Sequence, residues 1–201
     1  MANISTKEQF LKTLQEFTKV NRQNNTISEF QDDKIVIDET EDEGKGEIYL
    51  DISQYRQSEI FFVKIAHLST HTIGTNNSHN DGIVLKVDLN RRLIEVFLFE
   101  LKKQLRFNKL EKAVKQLASA YRFVNYMQLD NCFGVKYNFF IVYKTNNIAR
   151  EYDNLKDIRG YQMKLFTTIF EKKDKIPIQI PFCKYREFDF QQIQFGETIS
   201  I

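Results

Sequence analysis

The sequence predicts an α/β (α+β) chain, with helices and strands contributing to a single domain over residues 1–201. Two observations carry this. Apolar side chains recur at helical spacing in two long segments and alternate, or run continuously, in several short ones. With only 7 Gly and 2 Pro in 201 residues, regular elements rather than loops must account for most of the chain.

The elements follow in order. Residues 6–20 read as an amphipathic helix, with Ser5 or Thr6 as cap and Phe10, Leu11, Leu14, Phe17 and Val20 on one side. Ile35 and Ile37 alternate through a short strand at 34–38. Residues 39–46 are acidic and contain glycine, which predicts a mobile loop. Two apolar segments follow at 47–52 and 60–65, the second a strand. Residues 70–80 are a polar loop. Strands at 83–87 and 93–101 flank the four-residue turn Leu89-Asn90-Arg91-Arg92, which predicts a hairpin. Residues 109–127 form the clearest helix, its stripe being Leu110, Ala113, Val114, Leu117, Tyr121 and Val124. Residues 135–143, rich in Phe, Tyr, Ile and Val, read as a buried strand. A short helix is expected at 154–159, residues 163–170 are ambiguous, and the proline-containing tail from 176 to 201 suggests edge strands.

Composition narrows the function. A hydrophobic content of 42% with 28% charged residues is that of a soluble globular protein. No apolar run is long enough to cross a bilayer, and no basic start followed by an apolar stretch marks a signal peptide. A cytoplasmic protein without a membrane role is therefore expected. Cys132 and Cys183 lack metal-site spacing and read as reduced thiols. His67 and His71 have the spacing of two ligands on a helix but lack the intervening glutamate of a zinc protease motif. The wealth of Phe and Tyr reads as core.

The hairpin carries the chemistry. Glu100 and Lys102 are two apart in a strand, so they share a face with Ile94, Val96 and Leu98. Leu93, Phe97, Phe99 and Leu101 line the other face. A strand apolar on both faces is central and covered on both sides. A carboxylate at its end is costly unless something compensates it. If Asp88 pairs with Leu93 across the turn, paired positions sum to 181 and Asp81 lies opposite Glu100. Opposed carboxylates repel unless a cation sits between them. Oxygen ligands and few protein carboxylates suit Mg²⁺, or Mn²⁺ in its place, with the backbone carbonyl of Leu101 as a further ligand. Such an ion would polarise a scissile phosphate and acidify a water. Lys102 would orient that water or, the favoured role, neutralise charge building on the phosphate. The competing readings are a strand-entry cap for Asp81 and a surface ion pair for Glu100 and Lys102.

The order Asp81, apolar strand, Glu100-x-Lys102, basic helix, strand resembles the PD-(D/E)XK nuclease superfamily over residues 81–143. The resemblance implies a restriction-endonuclease-like fold, a mixed central sheet flanked by helices. It implies a metal-dependent (endo)nuclease acting on DNA, with Asp81, Glu100 and Lys102 catalytic. In many members a glutamate from the first helix completes the site, which makes Glu8 and Glu16 candidates, with Glu29 behind them. Some branches carry a glutamine on the helix after the Glu-x-Lys strand, and Gln116 occupies that place, although the tyrosine spacing differs. No proline precedes Asp81, which follows His79-Asn80; His79 is close enough in sequence to touch substrate.

Charge is unevenly spread. From Glu29 to Glu59 eleven acidic side chains face Lys34, Lys45 and Arg56, a balance of −8. From Lys102 to Arg122 seven basic side chains stand against Glu111 alone, a balance of +6. A basic helix beside a carboxylate site suits a polyanion, so Lys103, Arg106, Lys109, Lys112 and Lys115 are expected to bind a nucleic-acid backbone. The alternative is an inactive module of the same fold that binds nucleic acid, or a protein partner through the acidic segment. The resemblance also makes a homodimer an expectation.

Overall fold

The computed structural model describes residues 4–20, 26–30, 33–39, 46–56, 58–66, 81–148, 150–151, 160, 175–177 and 187–201. The helix expected at 154–159, the segment at 163–170, the acidic loop, the loop at 70–80, and His67, His71, His79 and Cys183 all lie outside them.

Helix α1 (Lys7–Val20) starts at a reciprocal cap. The Thr6 hydroxyl accepts from the Gln9 amide at 3.2 Å, and the Gln9 side-chain oxygen accepts from the Ser5 and Thr6 amides at 2.9 and 3.2 Å. This satisfies amides that the first turn leaves without intrahelical partners. Phe10 and Leu14 are buried and anchor the helix, Phe10 meeting Phe61 and Phe133 edge-on.

Seven strands form a mixed sheet in the order β1-β4-β5-β6-β7-β9-β8. These are β1 (Thr26–Phe30), β4 (Phe61–Ala66), β5 (Gly82–Asp88), β6 (Leu93–Leu105), β7 (Gly134–Asn146), β8 (Lys175–Pro177) and β9 (Glu187–Gln194). The β1/β4, β4/β5 and β5/β6 pairs are antiparallel. The β6/β7 and β7/β9 pairs are parallel, and β8 returns antiparallel to β9. A parallel β6/β7 pair needs a crossover, and helix α2 (Phe107–Tyr126) supplies it. A second sheet, β10-β3-β2, is built from β2 (Lys34–Glu39), β3 (Gly46–Asp51) and β10 (Thr198–Ser200).

Two cores result, one on each face of the large sheet. On one face α1 and α2 pack over Ile83, Leu85, Ile94, Val96, Leu98 and Ile141. On the other, Ile35, Ile37, Ile48 and Leu50 of the small sheet meet Val84, Phe97, Phe99, Leu101, Phe140 and Val142. Phe99 and Phe140 stack there, with centroids 4.8 Å apart. Strand β6 is thus covered on both sides, as its two apolar faces require.

A charge ladder crosses the large sheet away from the cores. Lys86 and Glu95 are cross-strand partners at 3.1 Å, and Lys136 on the far side of Glu95 lies at 3.7 Å. Lys86 also donates to the Tyr55 hydroxyl at 2.6 Å. Burial pulls the Lys86 ammonium down, but Tyr55 and Glu95 outweigh it, and the net shift is upward.

The architecture departs from the sequence reading in three places. β1 was not expected; it is short and only moderately apolar, and all five of its residues pair with β4. β6 and β7 run on to Leu105 and Asn146, because each continues pairing with the other beyond its apolar stretch. The tail does not supply edge strands alone: β9 lies inside the large sheet between β7 and β8.

Candidate active site

The hairpin register is the expected one. Asp88 pairs with Leu93 and Gly82 with Phe99, so paired positions sum to 181 throughout. Asp81 stands one residue before β5, at the position that continues this register to Glu100.

Two side chains bond the backbone of one residue, and a third joins them through one of these. An Asp81 carboxylate oxygen accepts a hydrogen bond from the Leu101 amide at 2.5 Å. The Lys102 ammonium donates to the Leu101 carbonyl at 2.9 Å and to the Glu100 carboxylate. In a strand the N–H and C=O of one residue point to the same neighbour. Both polar groups of Leu101 therefore face the place just before β5 begins. Asp81 and Lys102 occupy that place, and Glu100 follows through Lys102.

Burial sharpens the picture. Glu100 is 0% exposed, Lys102 8% and Gln116 5%, and these three are the buried polar or charged residues among the described ones. An ion pair in such a position costs more desolvation than a pair of apolar side chains, so folding alone gives little reason to keep it. Buried, charged and at the mouth of a strand pair, Glu100 and Lys102 are where a chemical role is expected. Neither the ion pair nor Asp81 is a surface feature, although Asp81 does cap the backbone at the entry to β5.

Gln116 comes to the same level. α2 returns antiparallel to β6, and nine residues at about 1.5 Å each descend as far as about four strand residues at 3.3 Å. Counted from Phe107 and Leu105, that places Gln116 about level with Leu101. It lies in the stripe of Ala113, Leu117 and Ala120, all buried against the sheet. Its burial sets aside the alternative reading of Gln116 as a solvated helix residue.

The glutamates of α1 stand elsewhere. Glu8 and Glu16 are exposed, each two residues, or about 200° around the helix, from a buried anchor (Phe10 or Leu14). Glu16 faces Lys12 at 3.9 Å. A glutamate on the outer side of α1 cannot join the fully buried Glu100, so the expected third acid does not come from Glu8 or Glu16. Glu29 is engaged in an ion pair with Lys7.

Asp81, Glu100 and the Leu101 carbonyl offer only oxygen, the chemistry of a hard divalent ion, and two carboxylates match the few that Mg²⁺ takes. Among the described residues no group of three or more His, Cys, Asp or Glu side chains is assembled around a common point. Two carboxylates and one carbonyl would leave the remaining positions of an octahedral ion to water. Here the Lys102 ammonium is the cation that Glu100 and the Leu101 carbonyl share.

Lys103, Arg106, Lys112 and Lys115 are exposed and Lys109 is half-buried. Lys115 pairs with Glu111 at 2.9 Å and Arg106 with Glu151 at 3.9 Å. Glu151 also accepts from the Phe107 amide at 2.9 Å, closing the start of α2. No family model matches this chain, and neither a curated protein nor a solved structure matches it.

Proposed function

We propose that the chain is a divalent-metal-dependent nuclease of the restriction-endonuclease-like type that hydrolyses phosphodiester bonds in DNA. The observation that carries this reading is the meeting of Asp81 and Lys102 on the Leu101 peptide groups, with the buried Glu100 carboxylate bonded to Lys102, at the end of a covered strand pair. Asp81, Glu100 and the Leu101 carbonyl would hold Mg²⁺ or Mn²⁺. When bound, the ion supplies Lewis-acid polarisation of the phosphate and a water of lowered pKa. Lys102, placed beside Glu100, carries a positive charge to the oxygens on which negative charge accumulates. Gln116 donates and accepts through its carboxamide from the helix side and orients groups at the same level. Lys103, Arg106, Lys109, Lys112 and Lys115 would hold the DNA backbone.

The test is cleavage of supercoiled plasmid with Mg²⁺ or Mn²⁺ against the same reaction with chelator. Wild-type chain nicks or linearises the plasmid only with metal. Asp81→Ala, Glu100→Gln and Lys102→Ala each lower the rate at least 100-fold. Metal-independent cleavage, or full activity in Asp81→Ala, overturns the reading.

One observation favours a second reading, an inactive nucleic-acid-binding module. Asp81 is already bonded to the Leu101 amide, and Lys102 already neutralises Glu100. A chain that binds DNA but neither Mn²⁺ nor cuts is that module.

A further inference from the structure

We propose that Lys103 and Lys144 form a slot for one phosphate of the DNA backbone, on the face of the large sheet opposite Glu100. The slot rests on the nuclease reading and deepens it, adding Lys144 and a place for a phosphate that is not cut. The parallel register pairs Lys102 with Tyr143 and Gln104 with Thr145, which sets Lys103 level with Lys144. Residues two apart in a strand share a face. Leu101 and Val142 line the small-sheet core, so Lys103 and Lys144 continue that face just beyond it. Neighbouring strands lie about 4.8 Å apart, which puts the two lysines side by side.

The other lysines described on that face, Lys64, Lys86 and Lys136, are neutralised. Lys64 meets Asp38 at 3.3 Å, Lys86 meets Glu95 at 3.1 Å and Lys136 meets Glu95 at 3.7 Å. Among the described residues Lys103 and Lys144 have no carboxylate partner, and both are exposed. The Glu197 carboxylate, on the turn after β9, is directed to the Gln194 amide at 3.2 Å. Like charges directly across a strand pair are destabilising. A phosphate between these two removes the repulsion and accepts a charge-assisted hydrogen bond from each. Lys103 lies one residue past Lys102, about 3.3 Å along β6. Gln104, Thr145 and Asn146 are exposed as well, so a DNA strand that crosses the carboxyl ends of β6 and β7 reaches both faces. Parallel strands take their ligands at that end. The phosphate in the slot therefore adjoins the scissile one.

The experiment is fluorescence anisotropy of the full chain with labelled duplex DNA over a series of salt concentrations, in chelator so that nothing is cut. Lys103→Gln and Lys144→Gln each weaken binding about fivefold at low salt. The double variant lowers the slope of log Kd against log salt by about 1, the change expected for one phosphate shared by both lysines. Thermal melting without DNA shows that the variants are folded and gives a second readout. Lys144→Gln melts above wild type at low salt and level with it at high salt, because the substitution and the salt remove the same repulsion. A slope change of about 2 in the double variant means two separate contacts and overturns the shared slot. Melting of Lys144→Gln at or below wild type at low salt overturns the repulsion that the phosphate relieves. A wild type whose Tm rises with inorganic phosphate but which binds no duplex holds free phosphate, and that overturns the DNA assignment. Unchanged Kd and slope in the double variant overturn the proposal, while metal-dependent plasmid cleavage by the wild type keeps the nuclease reading. Absence of both binding and cleavage in the wild type defeats the nuclease reading, and the slot with it.

Discussion

Lys102 plays two parts that conflict. Its ammonium neutralises Glu100 and holds the Leu101 carbonyl, the same oxygens a divalent ion would take. On the proposed reading an incoming ion would have to displace it, which would leave the displaced charge close to the phosphate. Lys102→Met should therefore bind Mn²⁺ about tenfold more tightly than wild type by calorimetry while losing cleavage. Without metal the same variant leaves a buried carboxylate uncompensated, at a cost of about 3–5 kcal/mol. Urea unfolding should show that loss, and Mn²⁺ should raise the Tm of Lys102→Met more than that of wild type. An unchanged Mn²⁺ affinity would show that the ion does not share ligands with Lys102. At this scale much was legible. Asp81, Glu100 and Lys102 stand out in the sequence because charged residues end a run that is apolar on both faces. Asp81's bond to the Leu101 amide was not legible, because it depends on where β5 starts. The outward turn of Glu8 and Glu16 was legible in hindsight, from their spacing to Phe10 and Leu14.

At the scale of elements, the β5/β6 hairpin decides the site, and its start is constrained from the other sheet. A Cβ on Gly82 would lie 2.9 Å from Cγ2 of Ile37, which is fully buried in β2. Gly82→Ala must push the small sheet away or shift the residue that follows Asp81. We expect a loss of about 1–3 kcal/mol in urea unfolding, accompanied by weaker Mn²⁺ binding. The hairpin register could be read from sequence because a four-residue turn and a two-faced apolar pattern leave a single alignment. The parallel partnership of β6 with β7 could not, since the order of strands across a crossover leaves no local trace. The same holds for β1, whose partner β4 lies beyond two other strands in the chain.

For the whole molecule, charge and topology set the behaviour. The basic residues of α2 differ in their availability: Lys112 is exposed, whereas Lys115 is paired with Glu111. Lys112→Ala should lower the slope of log Kd against log salt by about 1, and Lys115→Ala by less, in anisotropy titrations with duplex DNA. Equal slopes in both variants and wild type would place the DNA elsewhere. The α/β class and the mixture of helices with strands were foreseeable from periodicity, but the second sheet was not. Its β10 comes from the far end of the sequence to lie parallel to β3. That placement has a consequence for synthesis. β9 is an inner strand of the large sheet and β10 completes the small one. Neither layer can close while residues 187–200 are still within the ribosome, and β7 waits with one edge unsatisfied. A nascent chain in that condition is exposed to misassembly for as long as translation takes to reach β9 and β10, and slowing elongation there should lower the folded yield.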